Sequence, residues 1–186
     1  MRFITLLSAL LLSAPGLAAT YVFDASHTYP LFEIDHLGFS IQRGQFDRVR
    51  GTLEYDPLQR SGAVDIEIDT SSLDSGHDER DAILKGPGWF DVNRFPVITY
   101  RGTNLVFEAD RPVAIDGYLT MLGVTQPLRL EIHRLKCGLN LAARKRGCGA
   151  DASGVLRRSQ FGLRNGLPFV GDEVRLRIQA EAYQEN

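Results

Sequence analysis

The sequence predicts an all-β fold with one short helix, either an antiparallel sandwich or a closed barrel. Three observations carry this prediction. Apolar and polar residues alternate strictly in several short runs; turn-forming clusters such as "DPLQRSG", "DRP" and "LGVTQP" separate them; and no regular series of helical segments interleaves with them.

The first element is processing rather than fold. Arg2 gives a basic start, "FITLLSALLL" is an apolar run too short to span a bilayer, and "SAPGLAA" supplies the small residues of a cleavage site. Residues 1–19 therefore read as a secretory signal peptide cut after Ala18 or Ala19, which places the product in an exported compartment. Residues 20–186 remain, a length suited to one domain of roughly 100 to 200 residues.

Strand signals follow at Tyr21 to Asp24, Pro30 to His36 and Gly51 to Tyr55. Val64, Ile66 and Ile68 then alternate with Asp65, Glu67 and Asp69, as a strand with one dry face requires. The segment "DSGHDERDAILKG" breaks the rhythm as a helix. Asp74 or Ser75 caps it, Asp78 and Glu79 put negative charge in its first turn, Asp81 and Lys85 are spaced for an ion pair, and Gly86 with Pro87 ends it. It leads into "GPGWFDVNRFP", which holds the only tryptophan and, with Asp91 and Arg94 three apart, a local pair. Further strands are predicted at Val97 to Arg101, Asn104 to Glu108, Val113 to Met121, Leu128 to Ile132, Gly154 to Phe161 and Val174 to Ile178.

Charge and motifs exclude more than they assign. With 21 basic and 23 acidic side chains the net charge is −2, and one unit lower without Arg2, which offers no general attraction to nucleic acid. There is no G-x-S-x-G elbow, P-loop, H-E-x-x-H or C-x-x-C-H motif. His27, His36, His77 and His133 are scattered, and each reads as a hydrogen-bonded turn or strand residue rather than a metal ligand; His27 and His36 are near enough in sequence to meet in space. The acidic cluster Asp78, Glu79 and Asp81 is explained by the helix dipole without catalysis. Cys137 and Cys148, in "CGLNLAARKRGC", read as a disulfide in an exported chain; a metal site is the alternative, without a second cysteine pair or a nearby histidine. Arg144, Lys145 and Arg146 lie inside that loop, with Arg157 and Arg158 soon after. They are either solvated charge or a capture site for a phosphate headgroup or an anionic membrane surface.

Four blocks carry a family likeness. In order, "DASHTYPLFEIDHLGFSIQRGQFDRVRGTLEYD", "HDERDAILKGPGWFDVNRFPVITY", "GYLTMLGVTQPLRLEI" and "CGADASGVLRRSQFGL" resemble the YceI family of polyisoprenoid-binding periplasmic proteins. The resemblance implies a lipocalin-like antiparallel β-barrel of about eight strands around one extended lipid, an isoprenoid or quinone tail, and so decides between sandwich and barrel. It also implies a homodimer.

Interior positions of such a barrel alternate with exterior ones. The candidate ligand-binding residues are therefore Phe32, Ile34, Ile66 and Ile68 in the first half. Ile98, Tyr100, Leu119, Met121, Leu130, Ile132, Leu176 and Ile178 continue the series. His36 shares the parity of Phe32 and Ile34 and would bring a polar group to the cavity mouth. Trp89, Phe90 and Phe95 suit either a plug at one end of the barrel or a wall of the cavity. Arg144, Lys145 and Arg146 are the candidate headgroup residues. The expected activity is a carrier for an amphiphilic isoprenoid-like lipid, a polyprenyl phosphate or quinone, with transient membrane-surface contact, no catalytic residue, no metal and no cofactor beyond the lipid. An enzyme acting on that lipid through His36, Tyr100 and nearby carboxylates, and a stress-related structural protein, are the alternatives.

Overall fold

The computed structural model describes residues 18–185, and the leader assigned to residues 1–19 lies almost entirely outside them. Eleven strand segments form one antiparallel sheet that closes on itself. They are β1 (Ala19–Phe23), β2 (Tyr29–His36), β3 (Ser40–Phe46), β4 (Val49–Asp56), β5 (Ser61–Asp69), β6 (Leu73–Asp74), β7 (Val97–Glu108), β8 (Arg111–Met121), β9 (Val124–Asn140), β10 (Lys145–Arg157) and β11 (Val170–Gln184). The pairs β1/β2, β3/β4 and β5/β6 are each one stave broken in the middle, so the circuit has eight staves. Each stave pairs with its neighbour in sequence, and β11 closes the ring against both β1 and β2. The expected eight-stranded barrel is present, as an up-and-down meander.

The three breaks fall on adjacent staves, and the second and third are hydrogen-bonded to each other. Between β3 and β4, the Asp47 amide donates to the Ser72 carbonyl and the Arg48 amide to the Ser72 hydroxyl, 3.0 Å away; the Asp69 amide donates back to the Arg48 carbonyl. At the first break Thr28, fully buried, donates its hydroxyl to the Glu181 carbonyl of β11. The strands opposite, β7 to β11, run long. The two signals at Val97 to Arg101 and Asn104 to Glu108 are one strand with a bulge at Thr103, where the register against β8 shifts.

Two glycines make the interior possible. Gly102 and Gly117 face each other across β7 and β8, and a Cβ on Gly117 would stand 2.4 Å from the Arg101 carbonyl oxygen and 2.8 Å from the Tyr100 ring. The space left lets Tyr100 cross the barrel wall and donate its hydroxyl to the Ile115 or Leu128 carbonyl, 3.1 and 3.2 Å away.

The meander gives the barrel two unlike ends. The turns after β4, β7 and β9 and the start of β1 share one end. The turns after β2 and β8, the helix α1 (Asp78–Lys85), the aromatic segment 86–96 and the loop 158–169 share the other. The first end is filled by a small cluster in which Tyr21, Cys148 and Ala182 are buried and Phe23, Leu53, Tyr55 and Leu135 pack against them. The main cluster, around Phe46, Ile68, Leu73, Ile98, Tyr100, Leu119, Leu130 and Phe161, occupies the rest of the interior.

The helix is where predicted, with different contacts. His77 is its N-cap, its Nδ1 accepting from the Arg80 amide, while Asp74 instead accepts from the Gly76 amide. Asp81 is buried and turned away from Lys85: it accepts from the amide and hydroxyl of Ser75. Asp91 and Arg94 form no ion pair; the Asp91 carbonyl accepts the Arg94 and Phe95 amides, and the Arg94 guanidinium lies 5.0 Å from the centre of the Phe95 ring.

Candidate ligand-binding cavity

The barrel encloses an apolar cavity of about 420 Å³. Its shape follows from strand alternation. Of the residues expected to face inward, Phe32, Ile34, His36, Ile66, Ile68, Ile98, Tyr100, Leu119, Met121, Leu130, Ile132, Leu176 and Ile178 all line it, together with Trp89 and Phe90. Phe95 does not. Its ring sits beside Gly123 in the β8–β9 turn, outside the barrel, and its carbonyl accepts the Thr70 hydroxyl, 2.8 Å away.

The aromatic segment closes over the helix end of this cavity. Phe90 meets Phe46 edge to face at 5.5 Å between ring centres, and Phe46 meets Phe32 at 6.0 Å, so one aromatic chain runs from the segment down the wall. Trp89 lies between the cavity and the loop 158–169, its ring edge beside Gly166 and its face 5.8 Å from the Arg158 guanidinium carbon.

Arg158 is the polar residue that alternation locates and that the basic-patch reading misplaced. It follows Gly154 and Leu156 at inward parity, and is buried while Arg157 beside it faces out. Its guanidinium donates to four backbone carbonyls: Gly171 at 2.8 Å, Leu163 at 3.0 Å, Asn165 at 2.8 Å and Val170 at 2.9 Å. These bonds pin the loop across the end of the barrel. Burial lowers its pKa, with the Asp172 charge opposing that shift, and the guanidinium remains a cation.

Polar lining residues gather at this same end. His36 ends β2, Gln42 and Arg43 lie on β3, and Ser75 and Arg80 belong to the helix start. Arg80 donates to the Ser75 hydroxyl at 2.8 Å, the Ser75 carbonyl at 2.5 Å and the Gln42 side-chain oxygen at 2.8 Å, and no carboxylate of the described residues pairs with it. No Asp or Glu lines the cavity. Tyr100 spends its hydroxyl on backbone carbonyls, and burial pushes its pKa well above the usual phenol range.

The remaining candidates lie elsewhere. Cys137 and Cys148 form the disulfide, directly opposite each other on β9 and β10. Arg144, Lys145 and Arg146 are exposed at the tip of the β9–β10 hairpin, at the end of the barrel away from the helix, and none lines the cavity. Two of them, Lys145 and Arg146, begin β10 rather than lying in a loop. His27 and His36 do not meet: His27 bonds Asp24 at the β1–β2 break, and His133 bonds the Ser153 hydroxyl on the outer face. The described residues contain no cluster able to hold a metal.

An up-and-down eight-stave barrel with a lined apolar interior defines a class: barrels that take a small or thin apolar molecule inside. Within that class, this chain belongs to the YceI-like domain family, whose model matches residues 21–182. Protein YceI of Salmonella arizonae is 34% identical over 184 residues, covering 97% of this chain and 95% of the relative, and the same holds for Protein YceI of Salmonella paratyphi B. Among solved structures, BcnA of Burkholderia cenocepacia shares the fold at TM-score 0.72 and 20% identity, covering 86% of this chain and 99% of that one. A polyisoprenoid-binding domain from Saccharophagus degradans does so at TM-score 0.65 and 16% identity, covering 91% and 99%.

Proposed function

We propose that this protein binds one amphiphilic lipid with a thin isoprenoid-like tail and carries it through the periplasm. The observation that carries this reading is a cavity of about 420 Å³ walled almost wholly by aliphatic and aromatic side chains. That volume lies within the range of small-ligand sites, roughly 300 to 1,000 Å³. Burying on the order of 500 Å² of tail at ~25 cal/mol per Å² gives a gross ~12 kcal/mol, from which lost freedom subtracts. No directed bond is needed to hold such a tail.

The headgroup belongs at the helix end. There His36, Gln42 and Arg80 supply donors and positive charge, with Asp81 behind them taking up the Ser75 hydroxyl, which suits a phosphate or a carbonyl-bearing ring. The Saccharophagus degradans neighbour is a polyisoprenoid-binding domain, which agrees with this ligand class. The same lining favours binding over turnover: Tyr100 is already bonded to backbone, and His36 lines the cavity without an Asp or Glu in the lining to act with it.

Gentle mass spectrometry of the purified protein, with organic extraction, tests the reading. Recovery of a prenyl lipid or quinone is expected, and Arg80→Gln should weaken a prenyl phosphate about tenfold or more relative to a tail-matched hydrocarbon. A barrel that comes out empty and refuses both quinones and prenyl phosphates would sink the carrier function. Chemical conversion of the added lipid, lost in His36→Ala, would make it an enzyme.

A further inference from the structure

At the end of the barrel away from the helix, β9 outruns β8, while β10 stays paired with β11 as far as Gly147 opposite Tyr183. The β8 partner strand last pairs at Ala114 with Glu131 and begins at Arg111, whereas β9 continues to Asn140. The hairpin tip therefore extends past its last pairing with β11 by the two ladder residues Lys145 and Arg146 and by the turn that joins them to Asn140. The projection is built, not frayed. The disulfide clamps its base, and Asn140 organises its tip: its side-chain oxygen accepts the Ala142 and Ala143 amides at 3.0 and 3.1 Å, and its side-chain nitrogen donates to the Tyr183 hydroxyl at 2.9 Å. Tyr183 in turn donates to Glu181. A tip without a task would not need three anchors.

What the tip displays is amphipathic. Leu139 and Leu141 are 61% and 80% exposed, and Arg144, Lys145 and Arg146 follow within five residues. Leu139 stands opposite Arg146 in the ladder, so an apolar and a cationic side chain share one face. None of the three cations pairs with a carboxylate of the described residues, although most arginines on the barrel's outer wall do, such as Arg50 with Glu67, Arg101 with Asp65 and Arg129 with Asp116. In a chain of net charge −2, three consecutive unpaired cations are a local exception.

We infer that this hairpin docks the protein on an anionic lipid bilayer, with Leu139 and Leu141 entering the headgroup boundary and the three cations lying among the anionic headgroups. Charge complementarity selects an anionic partner. The two leucines select a bilayer over a soluble polyanion, because only the acyl boundary gives them somewhere apolar to go. The inference is independent of what fills the cavity.

Cosedimentation of the purified protein with vesicles tests it. Binding to phosphatidylcholine vesicles containing phosphatidylglycerol is expected, and much weaker binding to phosphatidylcholine alone. Replacing Arg144→Gln, Lys145→Gln and Arg146→Gln together should weaken the anionic-vesicle interaction about hundredfold, and Leu139→Ser with Leu141→Ser about tenfold. Because all five side chains are exposed, unchanged thermal melts show that the fold is intact. Failure to bind either vesicle, equal binding to both, or no loss in the triple variant overturns the inference. So does capture of the wild type by heparin combined with full vesicle binding of the double-serine variant, which would assign the hairpin to a soluble polyanion.

Discussion

The two ends of the barrel solve opposite problems with the same side-chain types. At the helix end a buried arginine, Arg158, faces inward and is consumed by four carbonyls, while the aromatic segment folds over it. At the other end, Arg144 and Arg146 of the hairpin tip face outward and pair with no carboxylate of the described chain, while the interior is closed by Tyr21, Cys148 and Ala182. An arginine is structural where its donors meet backbone in a dry setting and available where they meet water. Local surroundings decide the role, not residue type.

The largest effect that could break this contrast is at Arg158. Arg158→Met should cost about 3–5 kcal/mol in urea unfolding, since four buried carbonyls lose their donor at once, whereas Arg146→Met should change stability by no more than about 0.5 kcal/mol. Similar values at both positions would erase the distinction. Trp89→Ala comes next, with an expected loss of about 2–3 kcal/mol because the ring is only partly buried. If its melting temperature is unchanged while lipid affinity drops, Trp89 is a wall of the cavity rather than a plug.

Removing the disulfide at the other end, with Cys137→Ala and Cys148→Ala together, should lower stability by about 2–3 kcal/mol. The hairpin inference adds a sharper demand: vesicle binding should fall more than the fold does, because the clamp holds the projecting arm. Binding that survives at full strength would show that the arm needs no clamp.

The smallest effect concerns acid and base at the first stave break. Hydrogen bonds from the Ser26 hydroxyl, then from His27 and the Ser26 amide, hold the Asp24 carboxyl at about 2, below its ordinary 3.8. Its stabilisation is complete above about 4 and is lost as pH falls toward 2. His27 is shifted up, chiefly by its bond to Asp24, so its contribution is present below 6.5 and is lost as pH rises through the elevated value. Asp24→Asn should flatten both limbs of a stability–pH curve, each only slightly, given the exposure of the pair. An unchanged curve would show that the pair is not coupled to folding.

Much of the barrel was legible because alternation is a direct record of a two-sided wall. Ile66 and Ile68, Leu130 and Ile132, and Leu176 and Ile178 face in as their spacing predicts. β3 was not legible, for a physical reason. Its inward positions are Gln42, Gly44 and Phe46; Gln42 is there to receive Arg80, and Gly44 is small because the Phe32 ring would lie 2.4 Å from its Cβ. An inward surface built from a hydrogen bond and a void carries no apolar rhythm. The projecting half of the β9–β10 hairpin was hidden likewise, since beyond the rim neither face is dry. Phe95 shows the converse: aromatic character placed it in the cavity, but the helical turn at Asp91 carries it outside.

The closure of the ring has a consequence in time. Seven of the eight seams join staves adjacent in sequence and can zip as successive hairpins. The eighth joins Phe32 to Leu176 and Tyr21 to Gln184, across nearly the whole chain. Loop closure on that scale is slow compared with hairpin formation. Until β11 arrives, Phe32, Ile34 and the aromatic chain behind them line an open trough instead of a chamber. A form of the chain in which this seam is open exposes that wall to water, and a lipid or chaperone that reaches it meets a surface the closed barrel does not show.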